Sequence, residues 1–223
     1  MQLKPIGYVE SVYKQKFGVP RQSLLVDEAK AVLHLDRKIV TAQALEGIEE
    51  FSHIWLIFGF HLNNNLSLNA KVSPPRLAGG RVGVYASRSP HRFNSLGLSC
   101  VKLESVDYPK LNLAGVDLVD STPVYDIKPY IKEYDAVESA QSGWLERVGK
   151  YEDCSVEFSE QAHDLLSAEQ MKLILNTLKA DPRPINYKKP EFNKIYQMLM
   201  DGFDIHFQFI QPKKIFVHKI IVL

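Results

Sequence analysis

The hydrophobic pattern divides the chain at about residue 135. Before it, apolar residues come in short runs, separated by Gly, Pro, Asn and Asp. Residues 6–12 read as a strand in which Gly7 allows a bulge or a close backbone approach. Residues 32–35 read as a second strand, and 39–45 as a strand or a helical turn. Residues 52–61, Ser-His-Ile-Trp-Leu-Ile-Phe-Gly-Phe-His, are too short for a membrane span and predict a fully buried strand. Further strands are predicted over 82–86, 96–101, 103–108 and 113–119, with a turn at Asp120 and Ser121 before Pro123. Many short strands with turn signals and few helical patterns predict a mainly β protein. Its N-terminal domain, residues 1–137, should be a closed or nearly closed β-barrel.

The periodicity then changes. Residues 135–149 are polar, with Trp144 as a possible anchor, and mark a boundary. Residues 159–180 carry an apolar stripe, Leu165, Leu166, Met171, Ile174, Leu175 and Leu178, at helical spacing. Ser159 or Ser167 can serve as N-cap, and Ser167-Ala168-Glu169-Gln170 has the capping-box order. Asp181-Pro182-Arg183-Pro184 stops that helix, and residues 203–210 and 215–223 alternate as a hairpin. Residues 150–223 therefore predict a small α+β C-terminal domain.

Composition alters this picture little. Of 223 residues 45% are hydrophobic and 24% charged, and the formal charge of +1 gives no global signal for nucleic acid or membrane. Cys100 and Cys154 lie far apart without metal spacing, which fits a reducing compartment and predicts neither disulfide nor zinc site. The start shows no signal-peptide core and no apolar run reaches spanning length, so a soluble, cytoplasmic protein is expected.

Candidate chemistry concentrates in residues 76–102. A β-rich run, 82–86, empties into Arg88, Ser89, Pro90, His91, Arg92, Asn94 and Ser95, and the chain returns as a strand. Pro90 limits the entropy lost when the loop orders, and each Arg offers a planar fork for carboxylate or phosphate. The density of donors points to an anionic or nucleotide-like ligand; a solvated hairpin loop is the bland alternative. Residues 14–22 place three cations around Gly18 and Pro20, as a shaped loop or a solvated connector. Asp126, at the predicted end of a strand, could take a ribose diol, act as a base or cap a turn. His53 and His61, at the ends of the long apolar strand, read as structural histidines rather than metal ligands.

Six segments together resemble one family, the TsaA-like or TrmO proteins, which are β-barrel S-adenosylmethionine-dependent tRNA methyltransferases. They are Pro5-Ile6-Gly7; Lys16-Phe17-Gly18-Val19-Pro20-Arg21-Gln22; Phe51-Ser52-His53-Ile54-Trp55; residues 83–92, GVYASRSPHR; Asp126-Ile127-Lys128-Pro129-Tyr130; and Asp181-Pro182-Arg183-Pro184. They span nearly the whole chain in the family's order. The family's usual loop reads RSPHRPNPIGL. Here Phe93 and Ser95 replace prolines and Leu96 replaces Ile, which lowers rigidity and adds an aromatic ring able to stack on a base.

The resemblance implies methyl transfer from S-adenosylmethionine to N6 of N6-threonylcarbamoyladenosine at position 37 of tRNA, next to the anticodon. It also implies a homodimer. On this basis Arg88, Ser89, Pro90, His91, Arg92, Asn94 and Leu98, with Asp126, Ile127, Lys128 and Tyr130, are the expected cofactor pocket. His91 is the first candidate for a general base and Asp126 the second. Lys16, Phe17, Arg21, Asp181, Arg183, Lys188 and Lys189 are the expected contacts to the anticodon stem-loop. No metal is expected. A non-catalytic S-adenosylmethionine- or RNA-binding module on the same fold is the second reading. A phosphoesterase ranks last, for want of paired carboxylates.

Overall fold

The computed structural model describes residues 2–63, 70–77, 79–150, 152–183, 191–192 and 194–223. Six strands close into a barrel: β1 (Gly7–Ser11), β2 (Ala31–Leu35), β3 (His53–Gly59), β6 (Leu96–Asp107), β7 (Lys110–Ala114) and β8 (Thr122–Pro129). Their order is β1-β2-β7-β6-β3-β8, and β1 closes the ring by pairing with both β2 and β8. Val9, Leu33, Ile54, Leu56, Val101, Leu111, Leu113 and Val124 fill the interior, each no more than 1% exposed.

Strand period two explains one correction. β3 is not buried on both faces: Ile54, Leu56 and Phe58 point into the barrel, while His53, Trp55 and Ile57 face outward and are half-exposed. An apolar outer face on an antiparallel strand leaves something to be covered, and this one borders the candidate site.

Gly7 sits where the ring closes, with Leu35 on one side and Val124 on the other. A Cβ at this position would lie 2.4 Å from the His34 carbonyl oxygen and 3.1 Å from Leu35 Cα, so backbone would have to move. Gly7→Ala is expected to cost about 1–3 kcal/mol of unfolding free energy, read as a lower urea midpoint. A wild-type midpoint would mean that the β1–β2 ladder can open without penalty.

Other expectations shift for local reasons. The run 82–86 is not one strand. Among the described residues β5 (Val82–Gly83) pairs only with β4 (Lys71–Val72), and Val84–Ala86 coils into a 3₁₀ turn that Ser87 closes by donating to the Val84 carbonyl. Residues 39–45 resolve as a 3₁₀ turn, Ala42–Leu45. Residues 115–121 leave the ladder after β7 at Gly115, whose φ of +68° suits glycine. Asp126 lies inside β8 rather than at its end.

The C-terminal unit has a four-stranded sheet, β10-β11-β12-β9, formed by β9 (Ser155–Phe158), β10 (Ile195–Met200), β11 (Phe203–Gln211) and β12 (Lys214–Val222). The β11–β12 hairpin follows the sequence pattern; β9, parallel to β12, and β10 were not expected. The expected long helix is two, α2 (Glu160–Asp164) and α3 (Ala168–Lys179), after the single turn α1 (Lys132–Asp135). Both serines act as caps: Ser159 Oγ accepts from Ala162 N–H, and Ser167 completes a capping box with Gln170. An N-cap needs extended backbone, as Ser167 has at ψ 161°, so two caps break the stripe between them.

The two units share one apolar core. Tyr13, fully buried, pairs with Met200 across the seam and places its hydroxyl 3.4 Å from Thr177 Oγ1. Glu28 binds Lys172 at 2.5 Å and accepts from Asn176 at 2.9 Å. Trp144 anchors the connecting segment by donating to the Ala86 carbonyl at 2.8 Å.

Candidate active site

A cavity of about 720 Å³ opens beside the outer face of β3. Its walls come from Lys16 and residues 19–22, from Trp55 and residues 57–63, from Ser87, Arg88 and residues 90–92, from residues 96–99, and from residues 117–119 with Thr122. Trp55, Ile57 and Leu98 make an apolar strip along it, since Ile57 and Leu98 are register partners on the same face. The remaining apolar exposure of β3 is therefore cavity wall.

The loop is held by its own side chains. Arg92 donates to the carbonyls of Ser87 at 3.1 Å and Ser89 at 3.2 Å and lies 5.7 Å from the Tyr85 ring centre. Ser89 Oγ accepts from His91 N–H, and Asn63 donates to the Pro90 carbonyl at 2.9 Å. Arg88 is less committed. It donates to Gln22 Oε1, a neutral acceptor on the opposite wall, and its other N–H groups remain for a ligand. Ser95, at the loop's exit, has φ +46° and donates its N–H to the Arg92 carbonyl. A proline could do neither, so this exit takes a course that the family's usual proline forbids.

Asp117 was not singled out by the sequence. Residues 116–119 alternate: Val116 and Leu118 are 1% exposed and anchor the segment, while Asp117 and Val119 turn to the cavity. Its Oδ1 is buried without a hydrogen-bond partner among the described residues. Burial pushes the carboxyl above the usual aspartate range, against hydrogen bonds from Ser99 and Ser23 and the nearby charge of Arg88. A buried acceptor without a donor suits a ligand that brings N–H or O–H groups.

His61 also borders the cavity. Its pKa is depressed, first by partial desolvation against the wall and then by the Lys16 ammonium, with Asp120 acting the other way, although the side chain is exposed. Expected to be structural, it instead stands at a wall.

Of the expected cofactor residues, the structure brings Arg88, Pro90, His91, Arg92 and Leu98 to the cavity; Ser89 and Asn94 do not border it. Asp126, Ile127 and Lys128 stand one strand away on β8, with Tyr130 just past its end, and Asp126 pairs with Lys128 at 3.4 Å and accepts from Ile127 N–H. Lys16 and Arg21, expected at RNA, line the same cavity. Phe17 faces inward instead, stacked 6.2 Å from both Tyr196 and Phe207. Asp181 and Arg183 are interior too, 2% and 5% exposed, so the expected phosphate contact is corrected to a buried ion pair. Lys188 and Lys189 lie outside the described residues. No cluster of three or more His, Cys, Asp or Glu among the described residues is placed to hold a metal.

Comparison with known proteins agrees with the two-unit fold. The model of the tRNA-methyltransferase O N-terminal domain matches residues 8–136, and that of the TrmO C-terminal domain matches 151–222. RcsF of Pseudomonas aeruginosa, by name a candidate S-adenosylmethionine-dependent methyltransferase, is 40% identical over 94% of this chain and 93% of its own. The tRNA (adenine(37)-N6)-methyltransferase of Escherichia coli is 37% identical over 93% of this chain and 92% of its own. The crystal structure of TrmO from Pseudomonas aeruginosa superposes with a TM-score of 0.80 at 35% identity, covering 99% of this chain and 98% of that one. With both models matched in order and full-length relatives of the same architecture, this chain belongs to the tRNA-methyltransferase O family.

Proposed function

We propose that this protein transfers a methyl group from S-adenosylmethionine to N6 of adenine 37 in tRNA, and that the nucleoside it accepts is N6-threonylcarbamoyladenosine. The observation that carries this reading is the cavity, which sets an apolar strip opposite the cationic loop 87–92 in a chain of this family. S-adenosylmethionine, when bound, supplies an electrophilic methyl group on a sulfonium. The chain's residues fit it: Trp55, Ile57 and Leu98 offer a surface for an adenine ring, and Arg88 a fork for a carboxylate. Asp117 offers an acceptor for hydroxyl or amino groups.

The work left to the protein is positioning, because displacement at a methyl carbon requires nucleophile and leaving sulfur in line. Lys16 and Arg21 at the rim supply charge for the anticodon stem-loop. Phe93, directly after the loop 87–92 and 69% exposed, offers a ring to stack on an unpaired base. Barrel residues 1–137 would carry the chemistry and 150–223 would extend the RNA surface. A homodimer in the cytoplasm fits the outward apolar side chains Tyr134 and Val137 and the two free cysteines.

Incubation with S-adenosylmethionine and tRNA, followed by mass analysis of the nucleosides, should show one added methyl group on N6-threonylcarbamoyladenosine. Methylation of unmodified adenosine instead would change the substrate. Cofactor binding without methylation of any nucleoside would reduce the protein to a binding module.

A further inference from the structure

We propose that His61 is the general base that takes the N6 proton of the target adenine during methyl transfer. This deepens the methyltransferase reading and rests on it. The argument begins with a hydroxyl. Thr122 Oγ1 donates its single proton to the Val119 carbonyl at 2.6 Å. The same oxygen lies 3.5 Å from His61 Nδ1, and with its proton committed it can only accept there. Nδ1 therefore carries the ring's hydrogen and Nε2 the lone pair. Thr122 is 3% exposed and fixed in β8, so the ring is oriented by a rigid partner.

The surroundings keep that lone pair available. Lys16, whose ammonium is tied to the Leu62 carbonyl, disfavours a second positive charge beside it. With partial desolvation, the larger cause, this holds the His61 pKa below the ordinary histidine value. Asp120, held ionised by Ser11 N–H and Lys14, acts on the ring in the opposite sense to Lys16 and steadies the imidazolium once formed. Among the described residues no hydrogen bond is made by Nε2, and the residue is exposed at the cavity wall. A base oriented by one group, with its charged form compensated by another, follows the logic of activated acid–base sites.

The step balances. The N6 lone pair forms the N6–CH₃ bond as the C–S bond breaks, its electrons returning to sulfur to leave a neutral thioether. The N6–H bond breaks towards His61 Nε2, giving imidazolium. A carbamoylated N6 is a poor nucleophile, because its lone pair is delocalised, so removal of this proton belongs in the transition state. His91, the base expected from the sequence, has no orienting partner on its ring among the described residues and sits on an exposed loop.

His61→Asn keeps an N–H for Thr122 and removes the base. It should lower kcat about 10²- to 10⁴-fold, with KM for tRNA and calorimetric affinity for S-adenosylmethionine changed less than about twofold. The wild-type kcat should fall at low pH, as Nε2 protonates, through a pKa below the ordinary histidine value; the variant should lose this limb. Thr122→Val is the second probe, and should lower kcat while cofactor affinity holds. The proposal is overturned if His61→Asn retains kcat, if it loses cofactor affinity but not kcat at saturation, or if only His91→Asn abolishes the acid limb. A wild-type protein that methylates no tRNA would sink the functional reading first, a distinct result.

Discussion

Arg183→Met should lower the unfolding free energy by about 3–5 kcal/mol and leave the salt dependence of tRNA binding as it was. The guanidinium forks onto Asp181, with Nε at 2.9 Å and Nη2 at 3.1 Å from the two carboxylate oxygens, and lies 3.3 Å from the centre of the Phe209 ring. Both residues are almost wholly buried. The attraction at these distances offsets the desolvation of two charges only while both are present. Removing the guanidinium takes its charge and both fork hydrogen bonds from the buried Asp181 carboxylate and leaves a gap over Phe209. Asp181→Asn with Arg183→Met should recover much of the loss, because a neutral pair carries no such penalty; Asn also tolerates the φ of +50° at this position. Urea unfolding reads the first effect and binding at several salt concentrations the second. A wild-type midpoint together with a slope shallower by about one would put Arg183 back at the RNA surface.

That pair shows where sequence reasoning stops. A guanidinium between two prolines looks like a rigid basic loop, and nothing local says that Phe209 and Asp181 close over it. The barrel was legible because each strand carries its own alternation and its own turn residues, and inward positions such as Val9, Leu33 and Leu111 follow from period two alone. β9 and β10 were not, since a short parallel strand and a short edge strand borrow their stability from β12 and β11. The division of the expected helix turns on ψ at Ser167, a choice that an apolar stripe does not reveal.

The site divides along similar lines. Donor density singled out the loop 88–92, and Arg88, Pro90, His91 and Arg92 of it border the cavity, because loops hold their functional groups close in sequence. Asp117 and His61 come from segments far from that loop, and tertiary packing alone makes them its neighbours. A signal for Asp117 did exist: a carboxylate between buried Val116 and Leu118 must face away from the core. For His61 the decisive group is a threonine 61 residues away in sequence. The sequence left Arg88 and Arg92 equivalent, and hydrogen bonding now separates them.

Arg88→Ala should therefore be the more damaging of the two loop substitutions for transfer, lowering kcat/KM about 10- to 100-fold without moving the thermal midpoint. Its side chain is exposed, donates to neutral Gln22 and is free to add a charge-assisted fork to an incoming carboxylate. Losing such a contact is worth about 1.5–3 kcal/mol, which sets the expected factor. Arg92 spends its donors on Ser87 and Ser89, so Arg92→Ala should loosen the loop and lower the midpoint before it affects ligand contacts. Calorimetry assigns the carboxylate: weaker S-adenosylmethionine binding in Arg88→Ala places Arg88 on the methionine end. Unchanged cofactor affinity with a raised KM for tRNA places it on the threonyl carboxylate of the nucleoside. Equal losses of activity and midpoint in both variants would show that the two arginines only hold the loop, and the carboxylate would then have to be met by Lys16 or Arg21 on the facing wall.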